Sequence, residues 1–246
     1  VAAEEEADEL WSGAPDPQTL ERWTRRREAG EPLAWIVGVQ RFCGRDLRVH
    51  RGVFVPRPQS EELARRAAAA LGHTGGPALD VCTGAGAIAA HLMDAVPGAT
   101  IFATDVDAAA VRCARANGVR AVQADLAQPF VAGICGVVTA VAPYVPTSAL
   151  ALLPTDVLRF EPRRALDGGG NGLDVVRRVV ASAARVLRPG GHLFVELGGE
   201  QAGRLAVELD TGGWNELTSW GDAEGDLRGL SARRPPSIAR PKGSAR

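Results

Sequence analysis

The stretch Asp80-Val81-Cys82-Thr83-Gly84-Ala85-Gly86-Ala87-Ile88-Ala89 constrains this chain more than any other. The apolar run 78–82 reads as a short strand and 88–96 as a helix. Glycines between a strand and a helix let the backbone turn sharply and come close to a ligand. Gly84-x-Gly86-x-x-Ala89 also fits the dinucleotide fingerprint, a match that is weak by itself.

The rest of the chain keeps the same alternation. Helices are predicted over 61–71, 108–117, 175–187 and 201–209, the third closed by Pro189-Gly190-Gly191. Strands are predicted over 101–104, 121–123, 137–141 and 192–197, with weaker ones near 217–220 and 227–232. This order predicts an α/β fold, a Rossmann-like, mainly parallel, doubly wound sheet. It is preceded by a short extension over 1–58: polar helix to residue 29, broken by Pro15 and Pro17, then a hairpin where Leu47/Val49 and Val53/Val55 alternate. The main domain is placed at 59–233, and the Pro/Arg/Ser-rich stretch 234–246 reads as a disordered tail.

Bulk properties exclude several classes. A net charge of -1 gives no basic field for nucleic acid or an anionic membrane, so neither is an expected partner. Cys43, Cys82, Cys113 and Cys135 have no C-x-x-C spacing, so no metal site and no disulfide framework are expected. His50, His73, His91 and His192 are scattered and take no role. The N-terminus is acidic, unlike a signal peptide, and no apolar run reaches the ~18 residues of a membrane span. The expected location is the cytoplasm.

Acidic residues select the ligand. Asp80 ends its strand just before the glycines, where a carboxylate suits a cationic ammonium and sulfonium and repels a pyrophosphate. Asp105 lies 19 residues past Gly86 (105 − 86), placed for two ribose hydroxyls, and Asp125 can accept from an adenine amino group. Helix N-capping is the alternative for Asp105 and Asp125. Together the acids and glycines predict S-adenosylmethionine (SAM). Its expected binding set is Phe54, Pro56, Arg57, Asp80, Thr83, Gly84, Ala85, Gly86, Ile88, Asp105, Val106, Asp125 and Leu126.

A string of short motifs runs from Arg25 to Gln201: Gly30-Glu31-Pro32-Leu33-Ala34-Trp35-Ile36-Val37-Gly38, Phe42-Cys43-Gly44 and Val53-Phe54-Val55-Pro56-Arg57-Pro58. It continues through 80–89, Pro143-Tyr144-Val145-Pro146, Glu161-Pro162-Arg163, Gly172-Leu173-Asp174 and Glu196-Leu197-Gly198. In this order the string resembles the protein-(glutamine-N5) methyltransferases of the PrmC/HemK group, in particular a shorter actinobacterial subgroup. The resemblance implies a class I SAM-dependent methyltransferase acting on a glutamine side chain of a release factor or ribosomal protein. It assigns the catalytic segment to Val141, Ala142, Pro143 and Tyr144.

Two departures from the family pattern matter. The signature is N-P-P-Y, or N-A-P-Y in the shorter subgroup, and here it reads Val141-Ala142-Pro143-Tyr144. In the family the Asn side chain and the next carbonyl accept from the substrate NH2. A valine side chain cannot, so only the Ala142 carbonyl remains for that task. Only 29 residues precede Gly30, so the helical substrate-binding domain of longer relatives is expected to be truncated or absent. These departures leave two alternatives: a repurposed SAM enzyme acting on a small molecule, and a SAM-binding protein without transfer. Tyr144 reads as a wall stacking on a planar substrate group, or as packing under its loop. Arg57 covers the pocket or pairs with Glu61. Glu161 to Arg163 are expected to brace the active-site loop, and Glu196 to cap or brace.

Overall fold

The computed structural model describes residues 2–222 and 225–235. The N-terminal region comprises α1 (Ala2–Gly13), α2 (Pro17–Glu28), the short α3 (Leu33–Val37) and a hairpin of β1 (Val39–Phe42) and β2 (Arg45–Arg48). Asp16 caps α2 by accepting from the Thr19 N–H, and Pro17 starts the helix where no backbone donor is needed. Trp35 is buried and donates its indole N–H to the Val53 carbonyl at 2.9 Å. With Val49, Val53 and Val55 it forms an apolar cluster that includes Ala85, Ala110 and Cys113. The segment after the hairpin is thereby pressed onto the glycine loop as a roof.

The rest alternates: α4 (Glu61–Thr74), β3 (Ala78–Val81), α5 (Ala87–Ala95), β4 (Ile101–Asp105), α6 (Ala108–Ala116), β5 (Ala121–Gln123) and β6 (Cys135–Ala140). Then follow α7 (Thr155–Phe160), α8 (Asp174–Val186), β7 (Leu187–Glu196), α9 (Gln201–Thr211), β8 (Asn215–Gly221) and β9 (Leu227–Arg233). One sheet runs in the order β5-β4-β3-β6-β7-β9-β8, its first five strands parallel and β9 antiparallel to both neighbours. The sheet is the Rossmann-like arrangement expected. Strand order reverses at β3, which pairs with β4 on one side and β6 on the other. Such a switch point opens a crevice at the strands' carboxyl ends. β3 and β6 are buried along their whole length, as central parallel strands covered by helices on both faces must be.

Local details differ from the sequence reading. The helix expected to reach residue 187 stops at Val186, and Leu187 already pairs with Cys135. Pairing then jumps to Val137 with His192, so Pro189-Gly190-Gly191 lies in a bulge. The strand expected to end at 141 ends at Ala140, which leaves Val141 just beyond it. Three short helical pieces, α7 and the 3-10 turns Thr147–Leu152 and Arg163–Ala165, carry no strong periodicity; each follows a proline at its N-cap. Arg234, expected in the tail, is hydrogen-bonded both ways to the bulge through Gly190 and Gly191. The remainder of that expected tail, 236–246, lies outside the described residues. Among the described residues no helix is long and apolar enough to cross a membrane.

Candidate active site

A cavity of ≈ 350 Å³ opens at the switch point, within the size range of small-molecule sites. Its floor is the glycine loop, with Asp80, Thr83, Gly84, Ala85 and Ile88. One wall is formed by Asp105, Val106, Asp125 and Leu126 at the ends of β4 and β5. The opposite wall is Val141, Pro143 and Pro162, and the roof is Phe54, Pro56, Arg57 and Ser60. Of the residues expected from sequence, Gly86, Ala142 and Tyr144 are not on the lining.

Each carboxylate has a distinct setting. Asp80 is 1% exposed and accepts from the Thr83 hydroxyl at 2.5 Å and the Thr139 hydroxyl at 2.7 Å. Burial pushes its pKa up to about 6, against the pull of those hydroxyls and the Ala89 N–H; the Asp105 charge adds to the rise. Asp105 accepts from the Gly84 N–H and the Asp107 N–H, both at 2.9 Å, and burial raises it as well. The N-cap of α6 is Asp107, not Asp105. Asp125 caps no helix either; it pairs with Arg178 of α8 at 2.6 Å.

The two glycines have different tasks. At Gly84 an added Cβ would meet nothing within 4 Å, so its backbone faces open cavity. At Gly86, with φ +84°, an added Cβ would sit 3.0 Å from Ala114 and Val119. Gly86 lets α5 and α6 pack closely and does not face the ligand space.

The opposite wall is tied to the roof through buried carboxylates. Arg57 pairs with Glu161 and lies 5.0 Å from the Phe54 ring centre. The alternative Arg57–Glu61 pair does not form: Glu61 accepts from the Cys43 N–H at 2.8 Å and pairs with Arg65. Glu196 accepts from Ser60 at 2.5 Å and from the Tyr144 phenol at 3.0 Å, the bracing role expected of it. The Tyr144 hydroxyl is satisfied by Glu196 and its ring packs over Gly198.

Several residues on or just behind the lining took no site role from the sequence. Thr139 is brought to Asp80 only by strand register. Arg164 and Arg178 reach the cavity from the 163–165 turn and α8, and face Asp107 and Asp125. Cys82 has φ 56°, uncommon outside glycine, and its thiol is pushed up by burial beside three acids.

The cavity fits SAM. Asp80, Asp105 and Asp125 line it together with apolar Val106 and Leu126, a donor set suited to a cationic nucleoside, and Gly84 leaves the floor open. When bound, SAM supplies an electrophilic methyl on a positive sulfur. The chain would hold it with the groups on the lining, where Asp80, Asp105 and Asp125 offer carboxylates to a cation and Val141 and Pro143 offer an apolar wall.

Comparison with known proteins agrees. A family model described as methyltransferase small domain matches residues 59–132. The chain is 36% identical over 236 residues to the release factor glutamine methyltransferase of Rhodospirillum rubrum, covering 93% of this chain and 72% of that protein. It is also 36% identical over 218 residues to the 4-amino-L-phenylalanine/4-methylamino-L-phenylalanine methyltransferase of Streptomyces pristinaespiralis, covering 83% and 74%. Among solved structures, the hMettl16 catalytic domain in complex with an RNA hairpin has the same fold at a TM-score of 0.61 and 17% identity, covering 91% of this chain and 83% of that one.

Proposed function

Because this chain belongs to the release factor glutamine methyltransferase family and is a SAM-dependent methyltransferase, we propose that it methylates the side-chain nitrogen of a glutamine in a protein such as a peptide chain release factor. The expected cytoplasmic location accords with that substrate. The observation that carries this reading is the position of the Val141–Tyr144 loop. It leaves β6 at the switch point and puts Val141 and Pro143 on the cavity wall across from the glycine loop.

An amide nitrogen is a poor nucleophile because its lone pair is shared with the carbonyl. The loop's task is to orient the NH2 group so that the lone pair points along the sulfur–methyl axis. The Ala142 carbonyl is the acceptor this loop offers for one N–H. As the nitrogen–methyl bond forms and the methyl–sulfur bond breaks, the sulfur leaves as a neutral thioether, and the nitrogen's extra proton passes to solvent.

Val141 favours a second reading. Its apolar side chain suits an acceptor nitrogen that needs no second hydrogen-bond acceptor, such as an aromatic amine on a small molecule. The Streptomyces pristinaespiralis relative, named for an aminophenylalanine substrate, makes that chemistry reachable within the family. One experiment separates the two. The protein is incubated with methyl-labelled SAM and either a release factor carrying its GGQ loop or 4-amino-L-phenylalanine. Label on the glutamine supports the first reading; label only on the amine replaces it with the second.

A further inference from the structure

Glu196 ends β7 at 2% exposure, with no place on the cavity lining. One of its oxygens takes the Ser60 hydroxyl at 2.5 Å and the other takes the Tyr144 phenol at 3.0 Å. Ser60 belongs to the roof and lines the cavity; Tyr144 closes the Val141–Tyr144 loop on the opposite side. One carboxylate thus spans from roof to acceptor wall. Gln201 of α9 adds a second tie, donating to the Tyr144 carbonyl at 2.7 Å and to the Asn171 carbonyl at 3.2 Å. The ring of Tyr144 is seated over Gly198, where an added Cβ would lie 3.4 Å from it.

A carboxylate at such depth is an expensive way to fill space. Well-packed apolar residues in its place are often as stable or more so. What an apolar residue could not do is hold two separate chain segments by directed bonds at a fixed spacing. The groups facing Glu196 are Ser60, Tyr144, Arg228 and Arg57, all of which oppose the upward push of burial on its carboxyl.

We propose that Glu196 is a positioning residue for methyl transfer: by fastening Ser60 to Tyr144 it fixes the acceptor loop, and with it the Ala142 carbonyl, at a set distance from the roof. The inference rests on the reading of this cavity as the methyl-transfer site. Substitution at Glu196 or Tyr144 then leaves cofactor binding largely intact and lowers turnover, because neither side chain touches the cofactor space.

Tyr144 is the only tyrosine of the chain, so 3-fluorotyrosine labelling gives a single fluorine resonance that reports on this tie. Tyr144 is faced by Glu196, Arg228 and Arg57, and its phenol is raised by burial and by the Glu196 charge. Three results are expected. The labelled phenol ionises at higher pH than free 3-fluorotyrosine, and Glu196→Gln brings it down. Saturating S-adenosylhomocysteine moves the wild-type resonance, because that ligand sits under Ser60. Tyr144→Phe and Glu196→Gln lower kcat on the order of 10- to 100-fold, with dissociation constants for S-adenosylhomocysteine within about threefold of wild type.

An unchanged phenol titration in Glu196→Gln, a resonance indifferent to S-adenosylhomocysteine, or wild-type kcat in Tyr144→Phe would each overturn the proposal. Should Glu196→Gln fail to fold, Ser60→Ala removes the other half of the tie and takes its place in the kcat measurement. If glutamine proves not to be the acceptor, turnover is read with the amine instead. The fluorine measurements need no acceptor, so the two failures are told apart.

Discussion

Asp80→Asn tests the electrostatic basis of the site. In the wild type the carboxyl stands at about 6 against an ordinary 3.8, because burial disfavours its charge more than its hydroxyl partners restore it. The folded protein therefore holds a proton there that the unfolded chain has lost between these pH values. Its contribution to stability is full below about 4 and declines as pH rises to about 6, after which it is flat. A displacement of about two pH units at ~1.4 kcal/mol each amounts to about 3 kcal/mol lost by neutral pH. Asparagine carries no charge to desolvate. It keeps an acceptor for one threonine, while the other hydroxyl turns to accept from its amide, at a cost of about 1–2 kcal/mol in weaker hydrogen bonds. The variant is thus expected to be as stable as the wild type at pH 7.5, or slightly more stable, and to lack the decline between pH 4 and 6.

Function moves the other way. With Asp80 proposed as the charge that faces the cationic ligand, its neutralisation is expected to weaken SAM binding by about 1.5–3 kcal/mol, roughly 10- to 150-fold. Urea melts across pH 4–8 and calorimetric titration with SAM measure both effects. An Asn variant destabilised by several kcal/mol at pH 7.5, or one that binds SAM like the wild type, would refute the assignment of Asp80 as a charge held buried for the ligand.

Three further outcomes are expected. Val141→Asn supplies the second acceptor for a substrate NH2 and raises kcat for glutamine methylation on the order of 10²–10³-fold, read as label on a release factor; no gain means that the amide is not the acceptor. Arg57→Ala leaves Glu161, 5% exposed, without its cation; stability falls by about 3–5 kcal/mol in denaturant melts and recovers in part at acid pH, because the raised Glu161 carboxyl then takes up a proton. Gly86→Ala places a Cβ 3.0 Å from Ala114 and Val119 at positive φ, at a cost of about 2–4 kcal/mol, visible as a lower melting temperature.

The sequence by itself determined the class of fold and the ligand. Strand-glycine-helix order, apolar periodicity and acids at successive strand ends are local patterns, and local patterns survive reading along a line. Hence the parallel sheet, the crevice and the convergence of Asp80, Asp105 and Asp125 were all legible. Short proline-started turns between residues 147 and 165 were not, because elements of three to six residues carry too little periodicity.

What only the tertiary structure decided is which groups the polar side chains face. The Tyr144 hydroxyl finds its partner in Glu196, 52 residues away. Arg57 had Glu61 within reach in sequence but pairs with Glu161, 104 residues away. Asp80 meets Thr139 through strand register alone. A charge or hydroxyl is satisfied by whatever the fold brings within about 3 Å of it, and that partner is set by packing between distant segments, not by spacing along the chain.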